Sequence, residues 1–207
     1  MRSIRRPLIL AAFFVGILLV IAVAVSGRAS GNVMGPAGSV KGKFLVANPS
    51  IKDPRFSRTL ILMVRHSEDG AFGLIVNRPG GIAEIAVDAG NPDSEELRLP
   101  AFYGGPVEPE RAFVIHSPDY SADDTIAVSS SVSVTATTDI MDAIAGGKGP
   151  EEYLYVFGYS GWGPGQLENE LRRGDWSEAP LDPKLIFSDD EGETVWKRAR
   201  EMRLRGI

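Results

Sequence analysis

NPSIKDPRFSRTLILMVRHSEDGAFGLIVNRP, residues Asn48 to Pro79, contains two apolar runs, Leu60–Val64 and Ala71–Val76, each bounded by turn-forming residues. Runs this short cannot make a stable helix. Their Ile, Leu and Val content, framed by Asn-Pro, Asp-Pro and Glu-Asp-Gly, reads as buried β-strands joined by turns. Polar residues able to organise those turns lie between and around the runs: Asn48, Asp53, Arg55, Arg58, His66, Asn77 and Arg78.

The same pattern continues outward. Lys43–Ala47, Ala101–Tyr103, Ala112–His116, Thr125–Ser129, Ser131–Val134 and Tyr153–Phe157 are further strand candidates. Helical patterns are fewer. Ile82–Asp88 is short and weak, and Asp139–Ala145 follows Thr138, a residue type that caps helix N-termini. Gly165–Arg173 stops at Gly174, a residue suited to the left-handed position after a helix. Glu191–Leu204 lines up Val195, Trp196, Ala199 and Met202 on one stripe. Strands dominate the first two-thirds and helices cluster late, so the expected fold is α+β rather than a parallel βαβ sheet.

The chain of 207 residues divides into three expected parts. Residues 1–25 hold an 18-residue run without a polar side chain, Leu8 to Val25, preceded by Arg2, Arg5 and Arg6. At about 1.5 Å per residue such a helix spans roughly 27 Å, close to the hydrocarbon thickness of a bilayer. The run is longer than a signal-peptide core of about 7–15 residues, which favours an anchor over a cleaved leader. The arginines on its N-terminal side favour an inner-membrane, single-pass topology with the N-terminus in and the body outside the cytoplasm. Residues 26–42, rich in Gly, Ser and Ala, read as a flexible linker, and 43–207 as one domain.

From Asn32 onward the chain carries 18 Lys/Arg and 27 Asp/Glu, a body charge of −9. Without a dense basic run, direct nucleic-acid binding is not expected. The absence of cysteine excludes disulfides, thiolate metal sites and cysteine nucleophiles, and no metal or cofactor is expected.

Together with GGPVEPERAFVIHSP (Gly104–Pro118) and GYSGWGPGQLENE (Gly158–Glu170), the opening stretch resembles the YqgE/AlgH family of bacterial proteins, from about Gly42 to the C-terminus. The resemblance implies a bifurcated mixed sheet, partly barrel-like, with a few short helices. It implies no established reaction. One branch is regarded as regulatory with a link to transcription, which here would run indirectly, through protein contacts. It also implies a cytoplasmic location, the alternative to the anchored one.

Three groups of residues are candidates for chemistry. Gly161, Gly163 and Gln166 lie in a glycine-rich segment before a helix, where backbone amides can bind an anion, or where a sharp turn simply excludes side chains. The segment is neither a Walker loop nor a Gly-x-Ser-x-Gly elbow. His66 and His116 each end a strand and precede a serine, so they are able to meet at one sheet edge, or merely to bond turn backbone. Arg55, Arg58 and Arg78, with Asn77, either form an anion pocket or organise loops through ion pairs. The leading expectation is a non-catalytic binding or regulatory module with a protein partner. The alternative is a hydrolase whose cleft lies between His66, His116 and Gly158–Gln166. No small-molecule class is indicated.

Overall fold

The computed structural model describes residues 38–86, 96–136, 138–190 and 192–205. Ten strands and four helices follow one another as β1 (Lys43–Ala47), β2 (Leu60–Ser67), β3 (Gly70–Ile75), β4 (Pro79–Ile85), β5 (Leu97–Tyr103), β6 (Val107–His116), β7 (Ile126–Ala127), β8 (Ser133–Thr135), α1 (Asp139–Ala145), β9 (Tyr153–Trp162), α2 (Gln166–Arg173), β10 (Trp176–Pro180), α3 (Lys184–Phe187) and α4 (Gly192–Arg205). The strands form one sheet in the order β10-β1-β2-β3-β9-β6-β8-β7, with a branch in which β4 pairs β5 and β5 pairs β9.

The branch point is β9. Its first half pairs β5 in parallel, from Ala101↔Tyr155 to Tyr103↔Phe157. Its second half pairs β3 antiparallel, from Ala71↔Trp162 to Gly73↔Ser160. Along its other edge runs β6. The sheet is therefore bifurcated, and antiparallel except at β5–β9. Its two ends, β10 and β7, are not bonded to each other. Even so, Ala179 of β10, Phe44 of β1 and Val134 of β8 share one apolar cluster, so the sheet curls round its core without closing a ladder. Fully buried Leu60, Leu62 and Leu74 lie in that cluster, each contributing about 1.5–3 kcal/mol of hydrophobic stabilisation. Trp196, on the apolar stripe of α4, seals one side and donates its indole N–H to the Ala47 carbonyl at 2.9 Å.

Several expectations are corrected here. The helix expected at Ile82–Asp88 is strand β4 over its first residues, because Ile82, Ala83 and Glu84 pair with Pro100, Leu99 and Arg98; its end at Asp88 lies outside the described residues. Thr138 makes no side-chain cap bond to α1. Val40, expected in the linker, is completely buried, and its N–H reaches His66, so the domain begins before Lys43. The expected membrane helix at 8–25 lies outside the described residues, and none of the described helices is long and apolar enough to cross a membrane.

Candidate functional site

The loop from Asp53 to Arg58 is built by the residues proposed for an anion pocket. Arg78 donates to three of its carbonyls, those of Pro54 (2.9 Å), Arg55 (2.8 Å) and Ser57 (3.1 Å). Asn77, buried between β3 and β4, accepts from the Leu60 N–H at 2.8 Å and donates to the carbonyls of Arg58 and Gly192. Arg55 forks onto Asp53, and that guanidinium holds the Asp53 carboxyl below the usual carboxylate range. Arg58 takes a left-handed φ of 56° and pairs with Glu193 in the first turn of α4 at 2.8 Å. The structure thus brings Arg55, Arg58, Asn77 and Arg78 together as a brace. Arg78 and Asn77 are fully engaged, and only Arg55 and Arg58 remain largely exposed.

His66 belongs to a second cluster. Its Nδ1 accepts the Val40 N–H at 3.1 Å, which leaves Nε2–H to donate to Glu168 on α2 at 2.9 Å. The Glu168 carboxyl is held below its ordinary range, first by its own backbone amide and then by His66. Beside it, Trp162 and Trp176 stand edge to face and both donate indole N–H to Glu170 Oε2 at 2.8 Å. Gln166 bonds the other Glu170 oxygen and, through its own carbonyl, accepts the Gly163 N–H. That self-capping occupies an amide the anion site would need. Gly161 lies within β9, not in a loop, because the strand runs on to Trp162.

His116 belongs to a third. It is fully buried, with Nδ1–H donating to the Ser117 carbonyl at 2.7 Å and Nε2 accepting from Thr135 at 2.9 Å. Burial pushes its pKa down. The Ser117 hydroxyl bonds Asp119, not the imidazole, so the His-Ser-Pro-Asp run is no triad. Of the two readings of the histidines, a meeting at one sheet edge does not occur, and each ring bonds backbone, His66 the Val40 N–H and His116 the Ser117 carbonyl. His66 is in register with Ala71, and Ala71 with Trp162, whereas His116 is in register with Tyr153. Nine residues of β9 separate those levels, roughly 30 Å at strand spacing. The proposed hydrolase cleft is thereby divided. The Gly158–Gln166 segment adjoins His66 alone.

The geometry instead opens a groove elsewhere. β5 and β9 are paired from Ala101↔Tyr155 to Tyr103↔Phe157, and before that pairing begins residues of both strands and of the end of α3 border one space. The resulting cavity of about 340 Å³ is lined by Pro100 and Phe102 of β5, Tyr153 of β9, Phe187 at the end of α3, and Ser188 and Asp189 after it, among others. Ser188 Oγ, shut off from solvent, is the one buried side-chain polar atom among the described residues without a hydrogen-bond partner. Leaving such a hydroxyl unpaired costs about 1–3 kcal/mol. The two large hydrophobics exposed among the described residues are Tyr153, in the lining, and Ile82, directly opposite Pro100 on β4. The groove is not legible in the sequence because its lining comes from three segments far apart in the chain, β5, β9 and the end of α3. Its one signal was Pro100 inside an apolar run, since proline marks a place where a strand lacks a partner.

Comparison with known proteins gives a consistent picture. Residues 44–205 match the family model described as AlgH-like. The chain is similar to a UPF0301 protein of Cereibacter sphaeroides, 46% identical over 159 residues that cover 73% of this chain and 85% of the relative. A UPF0301 protein of Rhizobium meliloti is 42% identical over 181 residues, covering 82% and 88%. The solution structure of AlgH from Pseudomonas aeruginosa superposes with a TM-score of 0.67 at 34% identity, over 87% of this chain and 93% of that one. A crystal structure from Corynebacterium diphtheriae (TM-score 0.56, 22% identity, 81% and 88% covered) shares the fold.

Proposed function

The chain belongs to the AlgH-like family, and from that premise we propose that it is a non-catalytic binding module, held at the membrane by residues 8–25, whose groove beside β5 and β9 takes an extended apolar segment of a partner protein. Ser188 Oγ carries this reading. A hydroxyl buried without a partner behind the wall of a groove gains one when an entering occupant displaces the side chains that cover it. Pro100, Phe102, Tyr153 and Phe187 in a lining of mixed polarity, with Ile82 exposed nearby, suit a segment that buries hydrophobic surface on arrival. Both histidines, Asn77 and Arg78 are engaged by groups of the fold, which supports binding over catalysis. The apolar run at 8–25 and the arginines before it support the anchor, with the body outside the cytoplasm.

The test places a photoreactive amino acid at Phe187 or Tyr153 of the full chain in living cells, with Lys148 as a control position. Discrete adducts with another protein from the groove positions, weakened by Ser188→Ala, are expected. Because Ser188→Ala removes an unpaired hydroxyl, thermal stability should hold or rise slightly. Adducts equally frequent at Lys148, or indifferent to Ser188→Ala, would remove the groove from the argument.

A further inference from the structure

The strand at the tip of the branch, β4, is bonded on one side only. Its partner β5 is flanked on its other side by β9, whereas the outer edge of β4 has no strand against it among the described residues. Natural edges are usually guarded by Lys, Pro, bulges or inward charges. Here Pro79 and a bulge between Pro79 and Gly81 guard only the beginning. From Gly81 to Ile85 the single charge is Glu84, which pairs with Arg98 of β5 at 3.0 Å. At the centre stands Ile82, 61% exposed.

The register with β5 gives the direction of the free bonding groups. Ile82 faces Pro100, and proline has no N–H to donate across that pair. Such a residue fits an antiparallel position where opposed residues exchange no bonds. The N–H and C=O of Ile82 then point outward, along the open edge.

We propose that β4 is a homodimer interface, in which β4 of a second copy adds antiparallel about a two-fold axis at Ile82. In that register Ile82 meets Ile82 of the second copy, Gly81 meets Ala83, and Gly80 meets Glu84. The side-chain pattern selects it. Centring the pair on Glu84 would set two carboxylates face to face, which is destabilising. Centring it on Ala83 would lay each Glu84 carboxylate against Ile82. Centring it on Gly81 would leave Ile82 opposite glycine, without apolar cover. Only the Ile82 register covers the exposed side chain while keeping like charges apart. The interface is isologous, as a two-fold contact must be, so it closes at two copies rather than growing into a fibre.

The absence of cysteine makes the register directly measurable on the full-length chain. Under copper-phenanthroline oxidation, Ile82→Cys should give a disulfide-linked dimer, because opposed Cα atoms about 5.5 Å apart fall within disulfide reach. Glu84→Cys should not, since its two copies would sit four residues apart, roughly 14 Å. In detergent, light scattering should give the dimer mass for the parent chain and half of it for Ile82→Lys, with the circular dichroism of the folded chain retained. A monomeric parent chain, a dimer that survives Ile82→Lys, or cross-linking no stronger at 82 than at 84 would each overturn the proposal. The cysteine comparison decides the matter even if the lysine variant folds poorly.

Discussion

Asn77 holds three separate segments with one amide: the start of β2, the Arg58 turn and the start of α4. It is buried, so truncation removes the partner of the Leu60 N–H and one bond from each of two carbonyls. Asn77→Ala is therefore expected to cost about 1–3 kcal/mol, more than an ordinary surface change. Urea unfolding measures it, and a loss below a few tenths of a kcal/mol would show that water replaces the amide freely. His116 is a different kind of residue, because its effect depends on pH. Its folded pKa lies below the ordinary 6.5 through burial, while the unfolded chain protonates near 6.5. The fold thus resists a proton that the unfolded state accepts. Its contribution is fully present above about pH 6.5 and is lost as pH falls through the folded pKa. Unfolding free energy measured from pH 8 to pH 5 should decline through that window, and His116→Gln should flatten the decline. Equal slopes in the two proteins would contradict the assignment. Asp53 and Glu168, both with lowered values, act later: their share is present above the ordinary carboxylate range and disappears below it.

Among the elements, the turn between β5 and β6 crosses β9 at close quarters. Gly105 and Gly158 face each other so closely that a Cβ on Gly158 would lie 2.4 Å from the Gly105 carbonyl oxygen, and one on Gly105 would lie 2.1 Å from the Tyr159 carbonyl carbon. Gly158 also takes a left-handed φ of 67°. That conformation alone costs an L-residue about 1–2 kcal/mol, and the backbone overlap adds to it, so Gly158→Ala should fail to yield folded protein. Gly163, in the same segment, has nothing within 4 Å of its added Cβ. Gly163→Ala should stay within about 0.5 kcal/mol of the parent in a thermal melt. If both variants melt alike, the crossing is looser than described. The contrast also explains what the sequence made readable. Branched apolar runs announced β1, β2 and β3, and the stripe of α4 and the Gly174 stop of α2 announced the late helices. Ile82–Ile85 has helix-like composition and became a strand only because β5, remote in sequence, supplies the partner. β10, with one tryptophan among small and polar residues, carries no strand signal, yet β1 pairs all of it. The candidate residues were legible as polar groups beside turns. Their distribution among three clusters depended on strand order, which local patterns do not encode.

At the scale of the molecule, charge and anchorage bear on the same question, namely what this chain is able to approach. If residues 8–25 hold it in a bilayer, alkaline carbonate washing should leave it in the membrane, with an intact mass that includes those residues; release of a shortened chain would remove the anchor from the proposal. Nucleic acid is the partner that the charge disfavours. The body carries −9, and its densest basic stretch, Lys197 to Arg203, lies on α4, whose Val195, Trp196 and Ala199 are buried against the sheet. Its cations are also committed locally: Lys197 to Glu193, Arg198 to Asp190, Arg203 to Ser177, while Arg200 lies 4.8 Å over the Trp196 ring. Binding duplex DNA would require those contacts to be exchanged for phosphates, against the repulsion of an acidic surface. Among the described residues the helix packed against α4 is α3, only four residues long, too short to make a groove-reading pair with it. Fluorescence anisotropy of the full chain in detergent, with mixed and promoter-derived duplexes at roughly 150 mM salt, where the screening length is about 8 Å, should therefore show weak binding without sequence preference. Binding there at nanomolar concentration, with preference among sequences, would mean that α4 or a surface beyond it reads DNA directly. The groove would then lose its place as the leading functional surface.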